Sequence, residues 1–225
     1  MDAARWDAAV RTHLMPILPG DWQAASGTVI RGRVGWTAQL IQPQPPEHQS
    51  PAFHVEVLVQ LMASPDPFTH TCALLLGRRS FPEPDSVAGY QPVMAEIGRL
   101  VVAEAVPFFD RYGGVDGYLT HLREREADGV SRGLSSPDMN VAEQLVYAHL
   151  IRGDRTAAAA AAELAELSGA ENSARRRPVA WVEEGLQRVR RVMAASPGEA
   201  LAILAANAAE SAAVLALPEP ELQLG

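Results

Sequence analysis

Lysine is absent from this chain: all 19 of its basic residues are arginine. Without an ε-amino group, Schiff-base chemistry and a phosphate-loop lysine are both excluded. Cysteine is scarce as well. Cys72 stands alone, so no disulfide can close within the chain, which fits a reducing, cytoplasmic setting. Long apolar runs are missing; the nearest approach, 200–217, is broken by Asn207, Glu210 and Ser211. A membrane span needs about 18 or more uninterrupted apolar residues, so no membrane association is expected. The opening residues MDAARWDAAVRTHL carry acids and lack a continuous apolar core, so they do not read as a secretory leader. There is no G-x-S-x-G, G-x-G-x-x-G, Walker A, H-E-x-x-H or C-x-x-C pattern. These absences weaken hydrolase, dinucleotide, nucleotide and zinc-protease readings. No cofactor is expected.

What is present is an acidic chain of 225 residues with net charge −8. Such a surface repels nucleic acid and anionic membrane. The one basic run, Arg175-Arg176-Arg177, is short and reads as a solvated loop. The length suits one large domain, or two closely packed halves at 1–127 and 136–217.

Residues 2–15 carry Trp6, Val10 and Leu14 at helical spacing. From Trp22 the pattern turns to strand: one strand over 22–31, a second over 36–42, and a loop at 43–51 imposed by Pro43, Pro45 and Pro46. The clearest strand is 53–62. Phe53, Val55, Val57, Val59 and Leu61 alternate with His54, Glu56, Leu58, Gln60 and Met62. A fourth strand is expected at 69–76 and a linker at 81–88. Thereafter Tyr90, Val93, Met94, Ile97, Leu100, Val101, Phe108 and Phe109 form a helical stripe, which Pro107 should kink or end. Ser136-Pro137-Asp138 starts a further helix, Gly153-Asp154 turns into the next, which should end near Gly169, and Ser196 with Glu199 forms a capping box for the last. The tail after Pro218 should fray. The expected fold is therefore α+β: an N-terminal helix and a small antiparallel sheet packed on a helical C-terminal half.

Val106-Pro107-Phe108-Phe109-Asp110-Arg111-Tyr112, followed by Gly117-Tyr118-Leu119, gives residues 2–125 a resemblance to an uncharacterised bacterial family, domain of unknown function 4304. That resemblance implies an N-terminal sheet paired with helices and carries no activity. Residues 140–168, through Ala142, Tyr147, Ala148, Gly153, Asp154 and Ala157 to Ala162, resemble one helix–turn–helix unit of the tetratricopeptide type. A single unit reads as a helical hairpin in a bundle, because solenoid repeats need neighbours.

Chemistry-bearing residues cluster on the sheet. His54 and Glu56 share a face of one strand, and His70 and Cys72 a face of the next. In register, the four would suit zinc; out of register, they are a polar end of the sheet beside a buried thiol. His121, beside Arg123, Glu124, Arg125 and Glu126, reads as part of a solvated face, and His149 as a hydrogen-bonded core histidine. Glu96, Arg99, Glu104, Asp110 and Arg111 read as surface charge or a groove lining. Trp22 and Trp36, with Gln39 and Gln42, are packing residues or a partner-facing surface.

The expectation that emerges is a non-catalytic binding or adaptor protein of bacterial immunity or accessory type. Its partner is another protein, one with a basic surface that an acidic one can mask. A metal-binding protein or enzyme built on His54, Glu56, His70 and Cys72 is one alternative. A self-assembling protein that pairs its last helix through Leu201, Leu204, Ala208 and Leu215, as a homodimer, is another.

Overall fold

The computed structural model describes residues 2–45, 52–66, 71–131 and 138–223. The chain opens with helix α1 (Ala3–Ala9), capped by the Asp2 carboxylate, which accepts from the Arg5 amide. It continues through a π-helical turn, Val10–Leu14, to a short 3₁₀ turn, Met15–Ile17. An antiparallel sheet follows: β1 (Trp22–Ala25), β2 (Thr28–Arg31), β3 (Thr37–Gln44), β4 (Ala52–Leu61) and β5 (Cys72–Leu75), neighbours in that order. A short β6 (Phe81–Pro82) also pairs with β4.

Three strand expectations change. Residues 22–31 form a hairpin rather than one strand, because Ser26 and Gly27 both take positive φ (42° and 87°). That is the primed geometry that two-residue hairpin turns need. Helix α1 holds this turn: the Trp6 indole donates to the Gly27 carbonyl (2.9 Å), and the Gly27 amide donates to Asp7 (2.7 Å). Second, β3 runs through Pro43 to Gln44. Proline is tolerated there because β2 pairs only as far as Ile41, so a missing N–H beyond that point costs no ladder bond. Third, the expected linker contains β6, whose Phe81 is buried against Phe53. Of the expected fourth strand, 69 and 70 lie outside the described residues.

The alternation over 53–61 is as the sequence indicates: Phe53, Val55, Val57, Val59 and Leu61 are buried. Trp6 meets Phe53 edge-on at 5.4 Å and Tyr90 stacks obliquely on it, closing this face under α1 and α2 (Tyr90–Leu100). Each such aromatic pair adds about 0.5–1.5 kcal/mol beyond area burial. After α2 the chain passes through a second π-helical turn, Val101–Ala105, into α3 (Val106–Tyr112). Pro107 therefore sits in a first helical turn, where its absent N–H is no loss, and the irregularity it was expected to cause lies just before it. Helix α4 (Val115–Ser131) runs further than expected.

The helical half is built around α5 (Met139–Ile151), which is buried at Met139 and from Val141 to Leu150 and is surrounded by α4, α6 (Arg155–Ser173), α7 (Ala180–Ala194) and α8 (Pro197–Val214). A helix apolar nearly all round belongs in such a central place. Asp138 is its N-cap, accepting from the Asn140 amide; Ser136 and Pro137 lie outside the described residues. Asp154 caps α6, and Ser196 with Glu199 forms the expected reciprocal box on α8. Gly169 does not end α6. The helix continues to Ser173, and Leu186 of α7 packs where a side chain on Gly169 would stand. Of the four residues invoked for homodimer pairing, Leu204 and Ala208 face the chain's own core, whereas Leu201 and Leu215 are half-buried.

The two halves meet at the end of β4. Asn207 and Ser211 of α8 donate to the carbonyls of Ala63 and Ser64 (3.2 and 2.8 Å). The tail docks instead of fraying: the Glu221 amide donates to Val34, and the Trp36 indole donates to the Gln223 carbonyl. No helix among the described residues is long and apolar enough to cross a membrane.

Candidate functional site

The strand register separates the expected metal ligands. Cys72 pairs with Val59 and Leu75 pairs with Glu56. Directly opposed residues share a face, so Cys72 lies on the buried face with Val59, whereas His54 and Glu56 lie on the other. Convergence of the cluster is thereby corrected; His70 lies outside the described residues. His54 Nδ1 contacts the Arg79 carbonyl (3.2 Å), and Glu56 accepts from Gln44 Nε2 (2.8 Å). No group of three or more potential ligands is found among the described residues. Burial pushes the Cys72 thiol up to about 12, which leaves it a small core residue rather than a nucleophile.

The expected aromatic surface is corrected too. Trp22 and Trp36 are buried. Trp22 donates its indole N–H to the Pro19 carbonyl (2.8 Å) and lies 6.2 Å from Phe109; Trp36 is tied to the tail. Gln39 lies on the sheet face against α3, with Arg31 Nη1 at 3.5 Å, and Gln42 pairs with Glu56 on the opposite face. The charges on the long helical segment are absorbed by ion pairs: Arg79 with Glu96, Arg31 with Asp110 (2.7 Å), and Arg111 with Glu124 (2.5 Å). Glu104 accepts from the Gly77 amide (3.0 Å). His121 is not a solvated residue. It is half-buried, donates from Nε2 to the Thr71 carbonyl (3.0 Å) and stacks edge-on against Tyr112 at 5.0 Å.

The arrangement best suited to binding lies elsewhere, where the β4–β5 loop meets α5 and α7. A cleft of about 580 Å³ opens there, lined by Pro65, Asp66, Asn140, Trp181, Glu184 and Arg188. That volume is within the roughly 300–1,000 Å³ typical of ligand clefts. Trp181, Glu184 and Arg188 stand at i, i+3 and i+7 and so share one stripe of α7. Trp181 is 45% exposed, whereas Trp6, Trp22 and Trp36 are buried.

Beneath the cleft floor, Glu143 is buried in the middle of α5. Arg188 grips it with two parallel bonds, Nε to Oε1 (2.6 Å) and Nη2 to Oε2 (2.9 Å). The Tyr147 hydroxyl donates to Oε1 (2.6 Å). Charge-assisted, bidentate bonds of this kind are short and strong. The hydrogen bond to Glu143 raises the Arg188 pKa, and burial raises that of Tyr147. At the next position of α5, Gln144 accepts from the Tyr118 hydroxyl (2.6 Å), and burial holds that phenol protonated. Glu143, Arg188 and Tyr147 thus satisfy one another, and Tyr118 is satisfied by Gln144. The arrangement can fix α5 to α7 and shape one side of a cleft.

None of these cleft residues stands out as functional in the sequence alone. The available signal was Glu143, a carboxylate inside a mostly apolar helical run, which demands a buried cation from elsewhere in the chain. No family model matches the chain, and neither a curated protein nor a solved structure is found to be similar to it.

Proposed function

We propose that this chain is a non-catalytic protein-binding or adaptor protein. The observation that carries the reading is Trp181, an exposed indole that lines a cleft together with Arg188, whose guanidinium is held by the buried Glu143. Exposed tryptophans beside arginine are typical energetic anchors of protein interfaces. The mutual satisfaction of Glu143, Arg188 and Tyr147 supports a structural role for these buried groups over general acid–base work by them, which needs a group free to exchange its proton. The net charge of −8 favours a partner with a basic surface.

Co-purification of the full chain from a lysate of its source, with Trp181→Ala in parallel, tests this. The expected result is one stoichiometric protein partner with the wild type and its loss with the variant. A lone monomer that retains no protein and turns over a substrate would overturn the reading.

A further inference from the structure

We infer that the α5–α7 cleft receives an arginine side chain of the partner, stacked on the Trp181 indole and paired with Glu184. This rests on the protein-binding reading above. The electrostatics of the cleft decide the sign of its occupant. Arg188 is the cation of the lining, and its charge is compensated by the two bonds to Glu143. Glu184 is exposed, has no ion-pair partner among the described residues, and shares the Trp181 stripe of α7. Asp66 adds a carboxylate from the β4–β5 loop. An anion entering here would meet the Glu184 carboxylate with no uncompensated cation among the described lining residues to offset it, whereas a cation gains from Glu184.

Trp181 narrows the class further. The indole face is the best of the aromatic faces for a cation. A guanidinium is planar and weakly hydrated, so it can stack on that face while its edge donates to a carboxylate. An ammonium can do only one of these well. The Asn140 side chain, on the same lining, offers a carbonyl acceptor for a remaining N–H. The chain's overall negative charge would steer a basic partner towards this site.

Calorimetry with capped short peptides tests the inference on the intact chain. The probes carry arginine, lysine or glutamate at the same positions. The arginine peptide is expected to bind, and to bind several-fold more tightly than its lysine counterpart. Trp181→Ala should weaken it roughly tenfold, Glu184→Gln about threefold, and added salt should weaken it in both wild type and Trp181→Ala. Both substituted side chains are exposed, so folding is not at stake. Preference for the glutamate peptide, equal affinity for arginine and lysine, absence of arginine-peptide binding, or indifference to Trp181→Ala each sinks the inference. Those failures leave protein binding standing if a partner still co-purifies; failure to retain any partner removes the broader reading instead.

Discussion

At the scale of the residue, Cys72 shows how position overrides chemistry. The thiol is wholly buried, opposite Val59 in the ladder, and burial raises its pKa to about 12. Because the thiolate is the reactive form, the native protein should resist a thiol reagent at pH 8 and take up one equivalent only after denaturation. Rapid labelling of the folded protein would contradict this. His149 makes a related point. It is buried as a core histidine should be, but its Nδ1 has no hydrogen-bond partner among the described residues. An apolar helical run signals burial, while the partner of a buried ring depends on what packs over it.

At the scale of the element, Gly117 accounts for a short stretch that stood out in the sequence. It lies in the first turn of α4, directly against the end of α3. A β-carbon there would sit 2.3 Å from the Arg111 carbonyl oxygen and 2.7 Å from the Tyr112 Cα. Those are backbone atoms, so relief requires the two helices to separate. Gly117→Ala should therefore cost about 1–3 kcal/mol, read as a fall of several degrees in Tm, although alanine is the better helix former. An unchanged or raised Tm would show that α3 and α4 do not approach so closely. The same scale explains the strand expectations that changed. Ser26-Gly27 carried a turn signal, but the run around it was rich enough in Thr, Val and Ile to read as continuous. Pro43 forbids a ladder bond only where a neighbour exists to make one.

At the scale of the whole molecule, the half-buried His121 and the buried His149 contribute to the response to acid. Burial is the first cause that lowers the pKa of both His121 and His149. Arg125 and Arg111 also lower that of His121, against Thr71 and Glu124; Arg123 and Arg152 also lower that of His149, against Asp154. Both folded values therefore lie below the ordinary value near 6.5. Below that pH the unfolded chain binds more protons than the folded one, so stability falls. It is fully present above about pH 6.5 and is lost as pH drops towards the folded values. The carboxylates with lowered pKa, such as Glu166 beside Arg190, lose their contribution only below the ordinary carboxylate value. Urea midpoints at pH 7.5 and pH 5.5 measure the histidine effect, and His149→Leu should reduce the difference between them. A difference unchanged by that substitution would place the sensitivity elsewhere.

By itself the sequence determined what depends on near neighbours along the chain. It set the period-two face from Phe53 to Leu61, the helical stripes, the Ser196–Glu199 box, and the division into a sheet and helices, because periodicity and capping are local properties of the backbone. Tertiary structure decided what depends on distant residues meeting. One pairing, Val59 with Cys72, turned the thiol away from His54 and Glu56. The tail docks on the turn after β2 through bonds spanning 187 positions. Glu143 finds Arg188 across 45 residues, and the cleft with Trp181 on its edge exists only because α5 and α7 close over that pair. Strand register and helix docking are set by the summed burial of many side chains, and no single stretch of sequence contains that sum.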